Sequence, residues 1–469
     1  MLYGALHHAT QSDGTAARPV AKIDSHPNVI EVRRRTAEGE TQPPPEVLDA
    51  EWLRELCRRA GAQDVGFVEI ERAELAGERE EIARSFTGAR ALISFVCTMN
   101  QENVRSPSRS ASNLEFHLTN HDTNEVSRRI VYELQQLGVR AFNGAVGFPM
   151  EMDRFPSERI WTVAHKPIAV EAGLGHIGIH RNVIHPKFGN FILLGTVVVD
   201  TPVSAYDRPI DYNPCLECKL CVAACPTGAI NPDGRFDFSA CYTHNYREFL
   251  GGFENWVEQI VESRDAKDYR RRVSEPESAS MWQSLGFGPN YKAAYCVSVC
   301  PAGEDVLGPY LDSRKTHLAE VVKPLQNKVE TVYVLAESDA EAHVVKRFPH
   351  KRVKRVGSGL RARTVDGFIA GLPLLFQREV AKARGLDATY HFTFTGAEER
   401  ELTIVISGGE LTITKGLHGD PDIRVRADTR TWFEFVAGER SIVWPLLSRR
   451  IRLAGPPRLL TAFARCFPR

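Results

Sequence analysis

The sequence predicts an α+β multidomain protein, and three observations carry that prediction. Helical and strand patterns interleave between about residues 50 and 200, seven of the ten cysteines fall between Cys215 and Cys300, and alternating, hairpin-forming strands follow Thr364. A chain of 469 residues has room for about three domains, each burying its own core. Charged residues make up 25% and cancel to zero net charge, which gives no general electrostatic reason to expect nucleic acid or an anionic membrane as partner. The basic run from His350 to Arg355 reads as a solvated connector.

Residues 1–45 are polar, show no sustained apolar period and end in Pro43-Pro44-Pro45, which makes them an N-terminal arm. Arg33-Arg34-Arg35 has no apolar stretch behind it and is not read as an export signal. Trp52, Leu53, Leu56, Cys57 and Ala60 recur at helical spacing, Gly61 ends that helix, and Val65 to Ile70 follow as a strand. A second helix runs to about Phe86, and Ala91 to Val96 reads as a buried strand. The Ser-, Asn- and Arg-rich stretch from Gln101 to Asp122 is expected to be a long surface loop of the lid type, with a helix capped by Asp122 or Thr123 behind it. Strand returns at Val139 to Phe142, so this part alternates in the α/β manner. Gly173, Gly175 and Gly178 mark either a close approach of backbone to a flat ligand or a tight helix-to-strand turn. The apolar strand Phe191 to Val199 is far too short to span a bilayer, and a cytoplasmic protein without a membrane span is expected.

The chemistry is concentrated in Cys215 to Pro226, Cys-Leu-Glu-Cys-Lys-Leu-Cys-Val-Ala-Ala-Cys-Pro. Three thiolates two residues apart on one loop can each take a different iron corner of one cubane, while the fourth, before proline, turns to a second cluster. That crossing demands a partner motif, and Cys296-x3-Cys300-Pro301 supplies it, with Cys241 between. Structural zinc prefers two separated ligand pairs, and a reduced cytosolic chain does not keep disulfides. Cys57, Cys97 and Cys466 read as small core hydrophobes. Phe249, Phe253, Trp256, Val257 and Ile260 give a helix expected to shield the clusters, with an exposed continuation over Ser263 to Arg272. Residues 316–360 form a connector with a small βαβ-like pattern of their own. Thr364 onward reads as helix, strand, a hairpin through Gly408-Gly409, strand, and a closing helix with Leu459, Leu460, Phe463 and Phe467.

The block Ala172-Gly173-Leu174-Gly175, the segment His185-Pro186-Lys187-Phe188-Gly189, the strand ending at Asp200-Thr201-Pro202, Asp207-Arg208-Pro209-Ile210-Asp211 and the cysteine run together resemble the core of reductive dehalogenases and of epoxyqueuosine reductase. The resemblance covers roughly residues 50–325. It implies a nitroreductase-like, corrinoid-type α/β domain over 46–210 and a two-cluster ferredoxin-like domain over 211–315. It also implies that Cys215, Cys218, Cys221 and Cys300 hold one [4Fe-4S] cluster. Cys225, Cys241 and Cys296 would hold three corners of the other; Ala293 stands where the family has its remaining ligand. The second cluster is then a [4Fe-4S] centre with a non-cysteine ligand, for which His244 is a candidate, a [3Fe-4S] centre, or labile. Cobalamin is the further cofactor implied, with Gly173, Gly175, Gly178, His185 and Gly189 as its binding residues. Between Tyr132 and Tyr206 no tyrosine exists to match the dehalogenase proton donor. Asp153, His165, Lys166 and His176 are the candidate proton donors.

The last stretch is similar to sterol carrier protein 2 domains in Gly385-Leu386-Asp387-Ala388, the Gly396 turn, Asp420-Pro421-Asp422 and the Ala437-Gly438 to Ile451-Arg452-Leu453 spacing. That implies an α/β module over 361–469 built around an apolar tunnel, either open to a hydrophobic small molecule or lipid, or filled by side chains and serving for docking. The functional expectation is an iron-sulfur oxidoreductase of the corrinoid-dependent dehalogenase type acting on a hydrophobic substrate. A ferredoxin or flavin donor is implied, no nucleic acid is expected, and a homodimer stays open. Two alternatives are a corrinoid-free electron-transfer protein serving a partner enzyme, and an epoxyqueuosine reductase-like enzyme of tRNA modification.

Overall fold

The computed structural model describes residues 23–39, 43–155 and 158–468; most of the N-terminal arm lies outside them. Within the arm, Pro27–Ala37 is helical and buries nothing. Its start is set by a proline in the first turn and by His26 Nδ1, which accepts the Asn28 amide at 3.2 Å, and Arg34 pairs with Glu31 and Glu38 along its surface. A helix with no buried face leaves no apolar period to read.

The first domain holds a four-stranded sheet in the order Asp64–Glu69, Ala91–Thr98, Ile192–Val199, Ala141–Asn143, with every neighbour antiparallel. The interleaving of helices and strands therefore does not produce a parallel sheet. Helices Ala50–Ala60 and Arg109–Gln136 cover one face, and the other packs on Leu75, Ile82 and Ile168. At the centre Gly195 faces Phe95 across the ladder, and a Cβ there would stand 2.1 Å from the ring.

The lid loop expected over Gln101–Asp122 is corrected: Gln101–Arg105 is a short helix and Arg109–Gln136 a 28-residue one. The polar residues that suggested a loop instead satisfy themselves on the helix. Thr123 Oγ1 donates to Thr119 O at 2.7 Å, Ser127 Oγ to Thr123 O at 3.1 Å, and Asn113 Nδ2 to the carbonyls of Arg109 and Tyr291, both at 3.0 Å.

The connector is also more than a connector. Strands Thr331–Val334 and Arg352–Arg355 pair in parallel around helix Asp339–Arg347, and Val332, Val334, Ala340, Val344 and Phe348 share one apolar core with Cys221 and Cys225. The C-terminal domain is a five-stranded sheet in the order Glu410–Lys415, Arg400–Ser407, Ala388–Thr395, Ile423–Asp428, Ile451–Ala454; only the third and fourth strands pair in parallel. Its interior is occupied by Phe368, Tyr390, Phe392, Phe394, Trp432 and Phe463, which pack edge-on and tilted at centroid distances of 5.1–6.2 Å.

The His185–Gly189 turn locks the first domain onto the chain after Cys300. Gly189 has φ +63°, and a Cβ on it would lie 1.9 Å from Ala302 O. The amides of Glu304 and Asp305 donate to Pro186 O and Lys187 O at 2.9 and 3.0 Å. No helix among the described residues is long and apolar enough to cross a membrane.

Gly189→Ala is expected to destabilise the protein by about 3 kcal/mol and to lower its iron content, since both the dihedral and the contact forbid a side chain; denaturant titration with iron assay measures both. Phe392→Ala should cost about 3–5 kcal/mol in unfolding of the C-terminal domain while leaving the iron content near that of the parent.

Candidate functional site

The loop from Cys215 bends back on itself through two left-handed residues, Glu217 (φ +49°) and Lys219 (φ +60°), before the helical turn Leu220–Ala224 begins. Such conformations are costly for residues with side chains and persist where surroundings fix them. The turn brings Cys215, Cys218 and Cys221 around a recess that Cys300 closes from the far stretch, with His180 and Ala302 as further walls. All ten cysteines are free thiols. Backbone amides of Leu220, Val222 and Ala302 point at the sulfurs of Cys218, Cys221 and Cys300. Burial and then the other thiols push the Cys218 and Cys221 thiols up, and burial holds that of Cys300 at about 12. Four converging sulfurs with amide donors, and no disulfide among them, fit a [4Fe-4S] cluster, whose iron replaces the protons.

Cys225, Cys241 and Cys296 make the second group. Burial raises the Cys241 and Cys296 thiols, the latter to about 11, and Cys225 acts on both. Cys241 rides on helix Phe238–Asn245, whose first turn is capped by Asp237 accepting the Ala240 amide at 2.9 Å. Ala293, where a fourth thiol would come, packs in the same core as Cys225, Cys241 and Cys296. These three donors fit a cluster with one corner lacking a cysteine. His244 is fully buried, accepts the Tyr333 amide at Nδ1 (3.3 Å) and stacks on Tyr333. Burial and then Lys292, Lys351, Arg109 and Lys328 hold its imidazole down at about 3, and its Nε2 is buried with no hydrogen-bond partner.

At this second group the candidate Lys166 meets residues that the sequence did not single out. Lys166 donates to Arg181 O (2.8 Å) and Asn182 Oδ1 (2.9 Å), and its ammonium, pushed down by burial, is drawn up by Cys296 and Cys241. Asn182 Nδ2 lies 4.0 Å from Cys296 Sγ. The rings of Tyr246 and Tyr291 stand 5.8 Å apart, both hydroxyls raised first by burial, with Cys241 among the charges acting on each. No periodicity or motif marks Asn182, Tyr246 and Tyr291; only the fold assembles them.

The other expected site residues are placed as follows. His165 Nδ1 bonds Thr196 Oγ1 (2.9 Å) and Nε2 bonds Ala145 O (3.1 Å); burial holds the ring below the ordinary histidine range, so near pH 7 it is neutral and fully engaged. His176 bonds the neighbouring Ile177 O at 3.2 Å. Asp153 is exposed on the single turn Met152–Arg154. His185 is buried, its Nε2 3.0 Å from Asp64 Oδ2 and its Nδ1 accepting the Lys187 and Phe188 amides. A Cβ on Gly173 or Gly175 would stand 2.6 and 2.3 Å from the carbonyls of Arg208 and Ile184, one on Gly178 would meet the Ile184 and His180 side chains, and one on Gly189 the Ala302 carbonyl. Protein neighbours stand where a side chain would go at these glycines, so close chain packing accounts for glycine at each of them.

Comparison with known proteins agrees with this division. The 4Fe-4S binding domain family matches residues 208–231, and the SCP-2 sterol transfer family matches residues 375–468. The chain is similar to the epoxyqueuosine reductase of Aliivibrio fischeri, 29% identical over 151 residues, 32% of this chain and 36% of that protein. It is 30% identical to that of Cyclobacterium marinum over 179 residues, 36% of this chain and 55% of that protein. The matches thus span about a third to a half of these relatives. An epoxyqueuosine reductase solved with an epoxyqueuosine-modified tRNA stem loop superposes with a TM-score of 0.30 at 17% identity, covering 41% of this chain and 56% of that one. The expectation of no nucleic-acid partner, drawn from net charge, is overturned by relatives of this kind. Zero net charge averages over local basic surfaces, and it is the local surface that meets a phosphate.

Cys218→Ser is expected to remove about four iron atoms per chain and roughly half of the charge-transfer absorbance of anaerobic protein, leaving the second centre in place. Ala293→Cys should complete the second ligand set, raise the iron count, and abolish any oxidised three-iron signal in electron paramagnetic resonance.

Proposed function

We propose that this chain is a two-centre iron-sulfur reductase of the epoxyqueuosine reductase kind, delivering electrons to a modified nucleoside in RNA. The observation that supports it most is the crossing: Cys300 joins Cys215, Cys218 and Cys221, while Cys225 joins Cys241 and Cys296. Two adjacent iron-sulfur clusters supply one-electron transfer in steps. The chain's part is to hold them in register, to direct amide donors at their sulfurs, and to exclude water with the core shared by residues 331–348. Lys166 brings a positive charge to the second group, which favours its more reduced, more negative state. Asp153 is the candidate proton donor. Its turn is anchored by Arg154 to Glu81, and Arg159 pairs with Glu78 at 2.6 Å. The RNA reading is preferred to the dehalogenase-type reading because the curated relatives described above are epoxyqueuosine reductases.

A second reading, an electron-transfer protein without a corrinoid, is supported by the filled space opposite Gly173, Gly175 and Gly189. Anaerobic protein with both clusters and a chemical reductant, tested on tRNA carrying epoxyqueuosine with and without added cobalamin, separates the two. Turnover that falls about 100-fold in Asp153→Asn upholds the reductase. Two intact, reducible centres with no nucleoside product under either condition would assign the electron-transfer role.

A further inference from the structure

We infer that the C-terminal domain docks peripherally on an anionic lipid surface, through the short helix Val443–Leu447 and the arginines that follow it. The inference goes beyond the redox reading and does not rest on it. Residues 440–468 contain six arginines and no aspartate or glutamate. Zero net charge over the whole chain conceals that local excess.

The helix is held from beneath and presents its sides to solvent. Pro445 is buried and Ile442 packs on the aromatic core of the domain, while Val443, Trp444 and Leu447 are 61%, 64% and 72% exposed, with Leu446 exposed beside them. Large apolar side chains gathered on a surface mark a place that something covers. The chain then turns through Arg449 (φ +58°) into the edge strand Ile451–Ala454. Arg452 Nε donates to Arg449 O at 3.3 Å, which keeps that guanidinium at the end of the helix, and Arg426 lies directly opposite Arg452 in the ladder. Like charges opposed across a sheet are unfavourable. Among the described residues no ion pair with a carboxylate relieves Arg426, Arg449 or Arg452. Arg450 stands near Asp428, whose carboxylate already accepts the Thr431 amide and hydroxyl at 3.0 and 2.6 Å.

Apolar side chains beside unrelieved arginines complement the boundary of an anionic bilayer. Trp444 suits the headgroup level, the aliphatic tips reach toward the acyl chains, and the guanidinium groups meet lipid phosphates. A second copy of this chain is the poorer occupant, because it would set arginine against arginine. RNA is poorer as well, since Val443, Leu446 and Leu447 offer no π face to a base. Docking of this kind lies on the membrane and needs no spanning helix.

Flotation of the whole chain with vesicles tests the assignment. Vesicles of phosphatidylcholine mixed with phosphatidylglycerol are expected to carry the protein, less so as salt rises, and vesicles of phosphatidylcholine alone to leave it behind. Replacing Arg449→Gln and Arg450→Gln together should weaken binding about 30-fold, and Trp444→Ser about tenfold, with iron content and thermal unfolding unchanged because all three side chains are exposed. Equal binding to both kinds of vesicle, binding to neither, or binding that survives both variants overturns it. So does a chain that ignores vesicles but binds RNA through Arg449 and Arg450, or one that self-associates in a manner Trp444→Ser abolishes; these mark RNA and a second copy as the occupant.

Discussion

The constraint on which the structure depends is that two stretches of chain far apart in sequence must supply sulfurs to the same two points in space. Cys300 has to reach the loop of Cys215, Cys218 and Cys221, and Cys296, one helical turn earlier, has to face Cys225 and Cys241. Everything near the junction serves that convergence. The Gly189 and Ala302 backbones touch so closely that neither strand of the junction can drift, and the amides of Glu304 and Asp305 fasten it to the first domain. The contact that packs the first domain on this stretch therefore also fixes where Cys300 lies.

How much of this could be read from residues alone differs by the kind of signal. The cysteine run of residues 215–225 was legible as a 4Fe-4S binding segment because ligand spacing is dictated by the inorganic chemistry. The C-terminal strands were legible because alternation survives in Ala388–Thr395 and Ile423–Asp428, with burial patterns that alternate along them. The second half of helix Arg109–Gln136 was legible too, but its first half was not, because Asn113 and Thr119 occupy its buried side, and polar residues inside a helix erase the amphipathic period. The glycines of 173–189 could be read two ways from sequence, and the contact distances decide for chain packing.

Exclusion arguments drawn from whole-chain averages fared worst. Zero net charge said nothing about the arginines gathered at Arg426, Arg449 and Arg452, nor about the buried pairs around Glu248 and Glu277. Those pairs are individually expensive to desolvate, and they hold because each carboxylate takes two cations at once. The interior of the C-terminal domain makes a related point. A family likeness suggests a tunnel, and Phe392, Phe394 and Trp432 lie together in the apolar core of that domain.

The small parallel annex of residues 331–355 gives the protein an order of assembly. It packs over Cys221 and Cys225 and leaves the ribosome only after Cys300, so this cover closes over the cysteine loop after all seven clustered cysteines have been made.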